Sequence, residues 1–170
     1  RAPRNRRHVK KPLPSYKMRK RFVSALERIM NNDEKVILIP LDVGFGILEP
    51  LIEKFPDRIQ NHGVNEQHVV SLATGMAIEG KIPFIYSINS FLLFKGFEQI
   101  RMLAEMNKEK KYAHVILVGT GLENEYTNFG ITHYSFGDEK ILSTIPIKVL
   151  TPQTKDDVED KVMEAYKGLG

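Results

Sequence analysis

Glu66 is the residue whose type and place in the sequence most suggest chemistry. It follows Gly63-Val64-Asn65 and opens a predicted helix, where the positive end of the helix dipole favours an acidic side chain. A carboxyl group exchanges protons, so a site built on Glu66 would place or move a proton. Position alone favours a simpler interpretation, an ordinary charge at the start of a helix.

Four aromatic side chains are further candidates. Phe91, Phe94 and Phe97 recur at a spacing of three, which on its own is typical of a helix face packed in a hydrophobic core. His133 follows Gly130-Ile131-Thr132, and a lone histidine is more often a packed or surface group than a ligand. Spacing alone therefore does not assign these four residues to a site.

Several other kinds of site are excluded. The chain has no cysteine, which rules out disulfides, a cysteine nucleophile and thiolate metal ligation. Gly44 and Gly46 do not complete a dinucleotide-binding fingerprint, and the spacings of a zinc site and of a serine-hydrolase elbow are absent. No apolar run approaches the roughly 18 residues that cross a membrane. The lack of cysteine also fits a reducing compartment, so we expect a cytoplasmic protein.

The pattern of apolar residues predicts an α/β fold, a mostly parallel sheet with helices on both faces, because apolar runs of strand length alternate with amphipathic segments. In such sheets, ligands bind beyond the carboxyl ends of the strands. The predicted strands cover residues 36–40, 58–60, 83–87, 113–118 and 147–150, and the predicted helices cover 16–31, 47–54, 66–79, 91–107, 135–143 and 154–166.

The charge of the chain is concentrated at its start. The first 21 residues carry ten lysines and arginines and no acid, although the whole 170-residue chain has a net charge of only +4. We therefore divide the chain into a basic arm, residues 1–15, and a domain, residues 16–170. Runs of charge are most often solvated, so we expect an extension that is free or wraps a subunit. Nucleic-acid binding and a remnant of an organellar targeting signal are the alternatives.

Taken in order, the segments of residues 18–152 resemble the pyrimidine-binding, middle domain of transketolase. Each segment is short, and the ordered set makes the resemblance specific. The segments are Gly63-Val64-Asn65-Glu66-Gln67-His68, Ala73-Thr74-Gly75-Met76-Ala77, Pro83-Phe84, Ser90-Phe91, Gln99-Ile100-Arg101, Gly130-Ile131-Thr132-His133, Ile145-Pro146 and Thr151-Pro152.

The resemblance implies that the chain binds thiamine diphosphate. In this family the glutamate at the position of Glu66 hydrogen-bonds a ring nitrogen of the cofactor's aminopyrimidine and favours its imino tautomer. Aromatic side chains at the positions of Phe91, Phe94 and Phe97 stack on that ring. Phenylalanines around a carboxyl group also disfavour its charged form, which suits a group that must hold or share a proton. On this interpretation Glu66 and the three phenylalanines belong to one cofactor-binding site.

The resemblance also implies roles for three other residues. His133 matches a substrate-pocket histidine that hydrogen-bonds a sugar hydroxyl or a carbonyl oxygen, and we count it with Glu66 as catalytic. Asp42 matches an acid near the cofactor and the subunit contact, and Arg19 lies near a position that touches a substrate phosphate. Two positions depart from the family: Gly121 stands in place of a histidine and Phe129 in place of an acid. Both family groups bind sugar hydroxyls, so the substrate is expected to differ in polarity or shape.

The domain that binds the diphosphate through a metal has no counterpart in this sequence. We therefore expect a separate diphosphate-binding subunit, in a heterodimer or heterotetramer, that holds most of the contacts to Mg²⁺ or Ca²⁺. The expected reaction is transfer of a two-carbon ketol or related acyl group from a ketose, a sugar phosphate or a 2-oxo acid. The alternatives are the beta-type subunit of a 2-oxo-acid dehydrogenase or decarboxylase and a non-catalytic scaffold relative.

Overall fold

A computed structural model describes residues 14–109, 112–121, 125–135 and 137–168 of the chain. The predicted basic arm lies outside these residues except for its last two, which already belong to the first helix. Within the described ranges, no helix is both long enough and apolar enough to span a membrane.

The described residues form three β-strands and six α-helices that alternate along the chain. The strands are β1 (Val36–Pro40), β2 (Ile82–Ile88) and β3 (Ile116–Thr120). The helices are α1 (Pro14–Asn32), α2 (Glu49–Lys54), α3 (Glu66–Ile78), α4 (Asn89–Glu109), α5 (Asp138–Leu142) and α6 (Asp157–Lys167).

The strands form an open parallel sheet in the order β1-β2-β3. Leu38 pairs with Phe84, and Phe84 pairs in turn with Ile116. All five residues of β1 are buried, which explains why the strand is continuously apolar rather than alternating. The predicted fold class is confirmed.

Each face of the sheet carries its own hydrophobic core. On one face, Leu38 and Phe84 pack with Leu26 of α1 and Val158 of α6. On the other face, Ile39 and Ile85 pack with residues of α3 and α4, including Val70, Leu92 and Ile100. Adjacent residues of a strand point to opposite faces, so both layers of helices are held by the same short strands.

Two of the predicted strands are wrong. Ile59 makes one isolated bridge to Leu38, because a 3₁₀ turn over Pro56–Arg58 comes directly before it and leaves only this residue extended beside β1. Residues 147–150 are not in a strand of the described sheet. The amide of Ile147 donates instead to the carbonyl of Ile145, 2.9 Å away, which uses it in a local turn.

The helices match the predictions except at their ends. Helix α4 begins at Asn89, two residues before the predicted start, and α5 has five residues rather than nine. Thr154 and Asp157 form a capping box ahead of α6: the Asp157 carboxylate accepts from the Thr154 amide at 3.1 Å, and the Thr154 hydroxyl accepts from the Asp157 amide at 3.3 Å.

Candidate functional site

The carboxyl ends of the three parallel strands lie at one edge of the sheet and lead into the segments that carry the candidate residues. β1 continues into the turn that holds Asp42, and β2 runs without a break into α4 at Asn89. β3 ends at Thr120, directly before Gly121. This edge is where ligands bind in open parallel sheets.

Glu66 is the first residue of α3 and is only 2% exposed. Its Oε2 atom lies 3.8 Å from Nζ of Lys95 on α4. Its Oε1 atom is buried and has no hydrogen-bond partner among the described residues. A buried carboxyl oxygen without a partner is costly, and buried polar atoms in folded proteins are nearly always paired. The unpartnered oxygen makes Glu66 a candidate contact for a ligand.

Gly96 allows α4 to pack closely against the start of α3. A Cβ atom at this position would lie 3.3 Å from Cγ2 of Val70 and 3.7 Å from the carbonyl oxygen of Glu66. The close approach places the neighbouring Lys95 beside the Glu66 carboxylate. The sequence predictions did not include either residue, although a glycine inside a long helical pattern is a signal of close packing.

The three phenylalanines of α4 point in different directions. The ring of Phe91 is partly buried and has Lys95 Nζ 4.4 Å from its centroid. Phe94 is 48% exposed, whereas Phe97 packs against the core between the sheet and α3. A spacing of three residues is slightly less than one helical turn, so each successive phenylalanine lies further around the helix axis. Phe91 is the one whose contacts connect it, through Lys95, to Glu66.

His133 lies in a row of four aromatic rings that ends at Phe91. The ring centroids are 6.2 Å apart for Tyr126 and Phe129, 5.4 Å for Phe129 and His133, and 4.8 Å for His133 and Phe91. We call Tyr126, Phe129, His133 and Phe91 the aromatic row. Two predicted site residues, Phe91 and His133, are thus in direct contact.

Asp42 is joined to the segment before Glu66 by one amide side chain. Nδ2 of Asn61 donates to Oδ1 of Asp42 at 2.8 Å, and Oδ1 of Asn61 accepts from the amide of Gly63 at 2.9 Å. Asp42 also has a positive φ of 49°, a conformation that aspartate tolerates better than most residues. Asn61 was missed by the sequence predictions, and it connects the turn after β1 to the approach to α3.

Arg19 is engaged within the protein. Its Nη2 atom forms an ion pair with Oε1 of Glu125 at 2.9 Å, and its Nη1 atom donates to the hydroxyl of Tyr126 at 3.0 Å. Ser15 donates to the same oxygen of Glu125 at 2.6 Å. The guanidinium therefore links α1 to the segment that begins the aromatic row.

Tyr126 gives a structural reason for the glycine at position 121. Gly121 has a φ of 85°, and a Cβ atom there would lie 2.3 Å from Cδ2 of the Tyr126 ring. The ring thus takes the space into which a side chain at 121 would grow. Gly121 and Tyr126 form a matched pair.

Asp138 fixes the segment that carries His133 to the start of α4. This residue is buried, and its Oδ2 atom accepts from Asn89 at 2.5 Å and from Ser135 at 2.6 Å. Asn89 precedes Phe91 by two residues and Ser135 follows His133 by two, so Asp138 holds both ends of the His133–Phe91 contact. Neither Asp138 nor Asn89 was predicted as a site residue.

Among the described residues, no cluster of three or more histidine, cysteine, aspartate or glutamate side chains has the geometry to hold a metal ion.

Comparison with protein families matches residues 15–168 to the model described as transketolase, pyrimidine binding domain. The chain is 33% identical over 140 residues to a 1-deoxy-D-xylulose-5-phosphate synthase of Clostridium perfringens, covering 81% of this chain and 22% of that protein. It is 26% identical over 154 residues to one subunit of an apulose-4-phosphate transketolase of Actinobacillus succinogenes, covering 90% of this chain and 47% of that protein. The chain therefore spans half or less of the length of these relatives.

A solved structure with the same fold is described as a split gene transketolase in an inactive beta4 tetramer. It superposes with a TM-score of 0.74 at 22% sequence identity, and the match covers 88% of this chain and 47% of that one.

Proposed function

The chain belongs to the family of transketolase pyrimidine-binding domains, and on that premise we propose that it is the pyrimidine-binding subunit of a thiamine-diphosphate-dependent enzyme. The enzyme transfers a two-carbon ketol or related acyl group. The observation that carries the proposal is Glu66, a buried carboxyl group at the start of α3 whose Oε1 atom has no partner among the described residues.

The residues present fit the pyrimidine ring of the cofactor. Thiamine diphosphate, when bound, supplies a nucleophilic carbon that adds to carbonyl groups, and the protein supplies orientation and proton placement. Glu66 shares a proton with a ring nitrogen through its unpartnered oxygen. Phe91 offers an aromatic face beside Lys95, and Phe94 is exposed enough to meet a ring. Phe97 supports this surface from the core side.

The remaining predicted residues take supporting roles. His133 hydrogen-bonds an oxygen of the substrate, and its contact with Phe91 places it next to the ring site. Asp42 lies near the cofactor and the subunit contact, held by Asn61. Arg19 binds a substrate phosphate only if its ion pair with Glu125 breaks, a rearrangement that His133 does not require.

A second, diphosphate-binding subunit completes the enzyme. Support comes from two relatives whose names describe divided enzymes, a split gene transketolase and a single subunit of an apulose-4-phosphate transketolase. We assign the diphosphate and the Mg²⁺ or Ca²⁺ ion mainly to that second chain, in a heterodimer or heterotetramer. A cytoplasmic location remains part of the same proposal.

Calorimetry tests this division of the site. We expect thiamine diphosphate with magnesium to bind poorly to this chain alone and to bind tightly once the diphosphate-binding subunit is added. Tight magnesium-dependent binding to the isolated chain would overturn the division.

The donor substrate separates this proposal from a subunit of the 2-oxo-acid dehydrogenase type. Assays of the assembled complex with hydroxypyruvate, a sugar phosphate and a 2-oxo acid distinguish ketol transfer from oxidative decarboxylation. Cleavage of the 2-oxo acid alone would favour the second function.

A further inference from the structure

The aromatic row runs from Phe91, beside the candidate site, through His133 to the exposed ring of Phe129. Lys95 connects its inner end to the proposed reacting centre, since its Nζ atom lies 4.4 Å from the Phe91 ring centroid and 3.8 Å from Glu66 Oε2. Towards the surface, Phe129 is 65% exposed and the neighbouring Ile131 is also exposed. The row therefore connects the Glu66 carboxyl group, through Lys95 and Phe91, with solvent at Phe129. A substrate bound along these rings lies next to the proposed reacting centre.

Two polar side chains beside the row, those of Arg19 and Thr120, form hydrogen bonds within the chain. The guanidinium of Arg19 is held by Glu125 and Tyr126. The hydroxyl of Thr120 donates to the carbonyl of Ser87 at 3.3 Å. A polyhydroxylated sugar needs hydrogen-bond partners for each hydroxyl that it buries, and a hydroxyl that is buried unpaired costs free energy.

One polar group of the row suits a carbonyl oxygen. Nδ1 of His133 lies 3.0 Å from the Thr132 hydroxyl. In the tautomer in which Thr132 donates to Nδ1, Nε2 carries the hydrogen and can donate to an acceptor. A carbonyl oxygen accepts and does not donate, so it matches this nitrogen, while the rings on either side match a flat apolar group.

From these observations we propose that the aromatic row binds a carbonyl substrate that carries an aromatic group, in preference to a sugar. Phe129 and Tyr126 are the residues that determine this specificity. Tyr126 fills the space over Gly121, and Phe129 presents the exposed ring face. The inference rests on the proposed function, because it specifies the substrate class of that same site.

Nuclear magnetic resonance on the full chain tests the row without requiring turnover. We titrate the chain with acetophenone and, separately, with erythrose, and follow the ring signals of His133. Acetophenone is expected to cause saturable shifts at His133, and erythrose is expected to cause none at the same concentrations. Equal or larger shifts with erythrose would overturn the proposal.

Matched variants identify the surface. Phe129→Asp is expected to weaken acetophenone binding about tenfold, because a ring contact is replaced by a charge. Ile78→Asp makes a comparable apolar-to-acid change at a residue that is 53% exposed at the far end of α3, and it is expected to leave binding within about twofold. Equal effects of the two variants, or loss of acetophenone binding when the diphosphate-binding subunit is added, would show that the row does not bind substrate.

Turnover in the assembled complex separates this inference from the function on which it rests. Benzaldehyde is expected to be a better acceptor than erythrose, and Phe129→Asp is expected to lower the ratio of their kcat/KM values about tenfold. A complex that prefers erythrose would sustain the proposed function and contradict the substrate class. A complex that never binds thiamine diphosphate would contradict the function, while the titrations of the free chain would still decide what the row binds.

Discussion

At the scale of single residues, the burial of Glu66 is the observation on which the proposed chemistry rests. A carboxyl group that is 2% exposed has lost most of its hydration, and its two oxygens differ, since Oε2 faces Lys95 and Oε1 has no partner in the described chain. Desolvation of this kind is tolerated where a ligand restores the lost contacts. The sequence predicted Glu66 from its neighbours in the chain, but it did not predict Lys95, which comes from another helix.

At the same scale, the three phenylalanines show that their spacing in the sequence does not identify which of them lie in the site. Phe91, Phe94 and Phe97 were predicted as one set, and they divide into a site contact, an exposed ring and a core residue. The predicted His133 meets Phe91, a contact that depends on how the segment after β3 folds back. The contact between His133 and Phe91 is a tertiary contact, so the periodicity of neither segment predicts it.

Tyr86 provides a prediction about pH. Burial raises the pKa of its phenol above the ordinary value of 10.0. The folded protein therefore holds this proton more tightly than the unfolded chain, so the contribution to stability is complete below about pH 10 and is lost as the pH rises further. We expect Tyr86→Phe to remove this alkaline loss, measured as the free energy of unfolding in urea at pH 8 and pH 11.

Near neutral pH the same variant is expected to change stability by no more than about 1 kcal/mol, because a single neutral hydroxyl contributes little net free energy to folding. Tyr112→Phe, at an exposed tyrosine, is the matched control and should keep the wild-type pH profile. A Tyr86→Phe protein that loses as much stability between pH 8 and pH 11 as the wild type would contradict the assignment.

At the scale of elements, the packing of α4 against α3 is the contact that brings the site together. The prediction concerns the two glycines of these helices. At Gly96 a Cβ atom would already lie 3.3 Å from Val70, whereas at Gly75 nothing lies within 4 Å. We expect Gly96→Val to lower the free energy of unfolding by about 1–3 kcal/mol through overpacking.

Gly75→Val is the matched control, and it should be neutral or slightly stabilising, because valine is a better helix former than glycine by a few tenths of a kcal/mol. Thermal or urea unfolding measures both variants. Equal stabilities of the two variants would mean that α4 does not approach α3 at Gly96.

Asp138 gives a second prediction at this scale. It accepts hydrogen bonds from Asn89 of α4 and from Ser135, and so joins the start of one helix to the segment that holds His133. Asp138→Ala is expected to lower the free energy of unfolding by about 1–3 kcal/mol, since two partly buried donors lose their acceptor. It should also shift the ring signals of His133 in NMR spectra.

Asp156→Ala, the same change at an exposed aspartate just before α6, is the comparison for Asp138→Ala and should leave the His133 signals in place. Unchanged His133 signals in the Asp138→Ala protein would show that Asp138 supports the fold but not the aromatic row.

The elements themselves were largely predictable. β1 and β2 were predicted to within one residue of their ends, whereas the strand predicted over residues 113–118 forms at Ile116–Thr120. Residues 58–60 and 147–150 were predicted as strands and did not form them. Whether these residues form strands depends on the preceding turn and on a sheet edge with which they can pair. A run of three or four residues predicts neither.

At the scale of the whole molecule, the proposed function requires this chain to carry one side of a catalytic site. The candidate residues Glu66, Phe91 and His133 lie at the carboxyl edge of a three-stranded sheet. The division of the site between two subunits stays a prediction. In the structure, α3, α4 and the segment after β3 meet at this edge, and their contacts bring the candidate residues together.

The most direct measurement of the central proposal is the turnover of Glu66→Gln in the complex of this chain with its diphosphate-binding subunit. Glutamine has nearly the same size and cannot share a carboxyl proton, so turnover should fall by roughly 10²–10⁴-fold. Glu79→Gln, an exposed acid just past the end of the same helix, should keep wild-type activity. A Glu66→Gln complex that binds thiamine diphosphate and turns over at the wild-type rate would contradict the role proposed for Glu66.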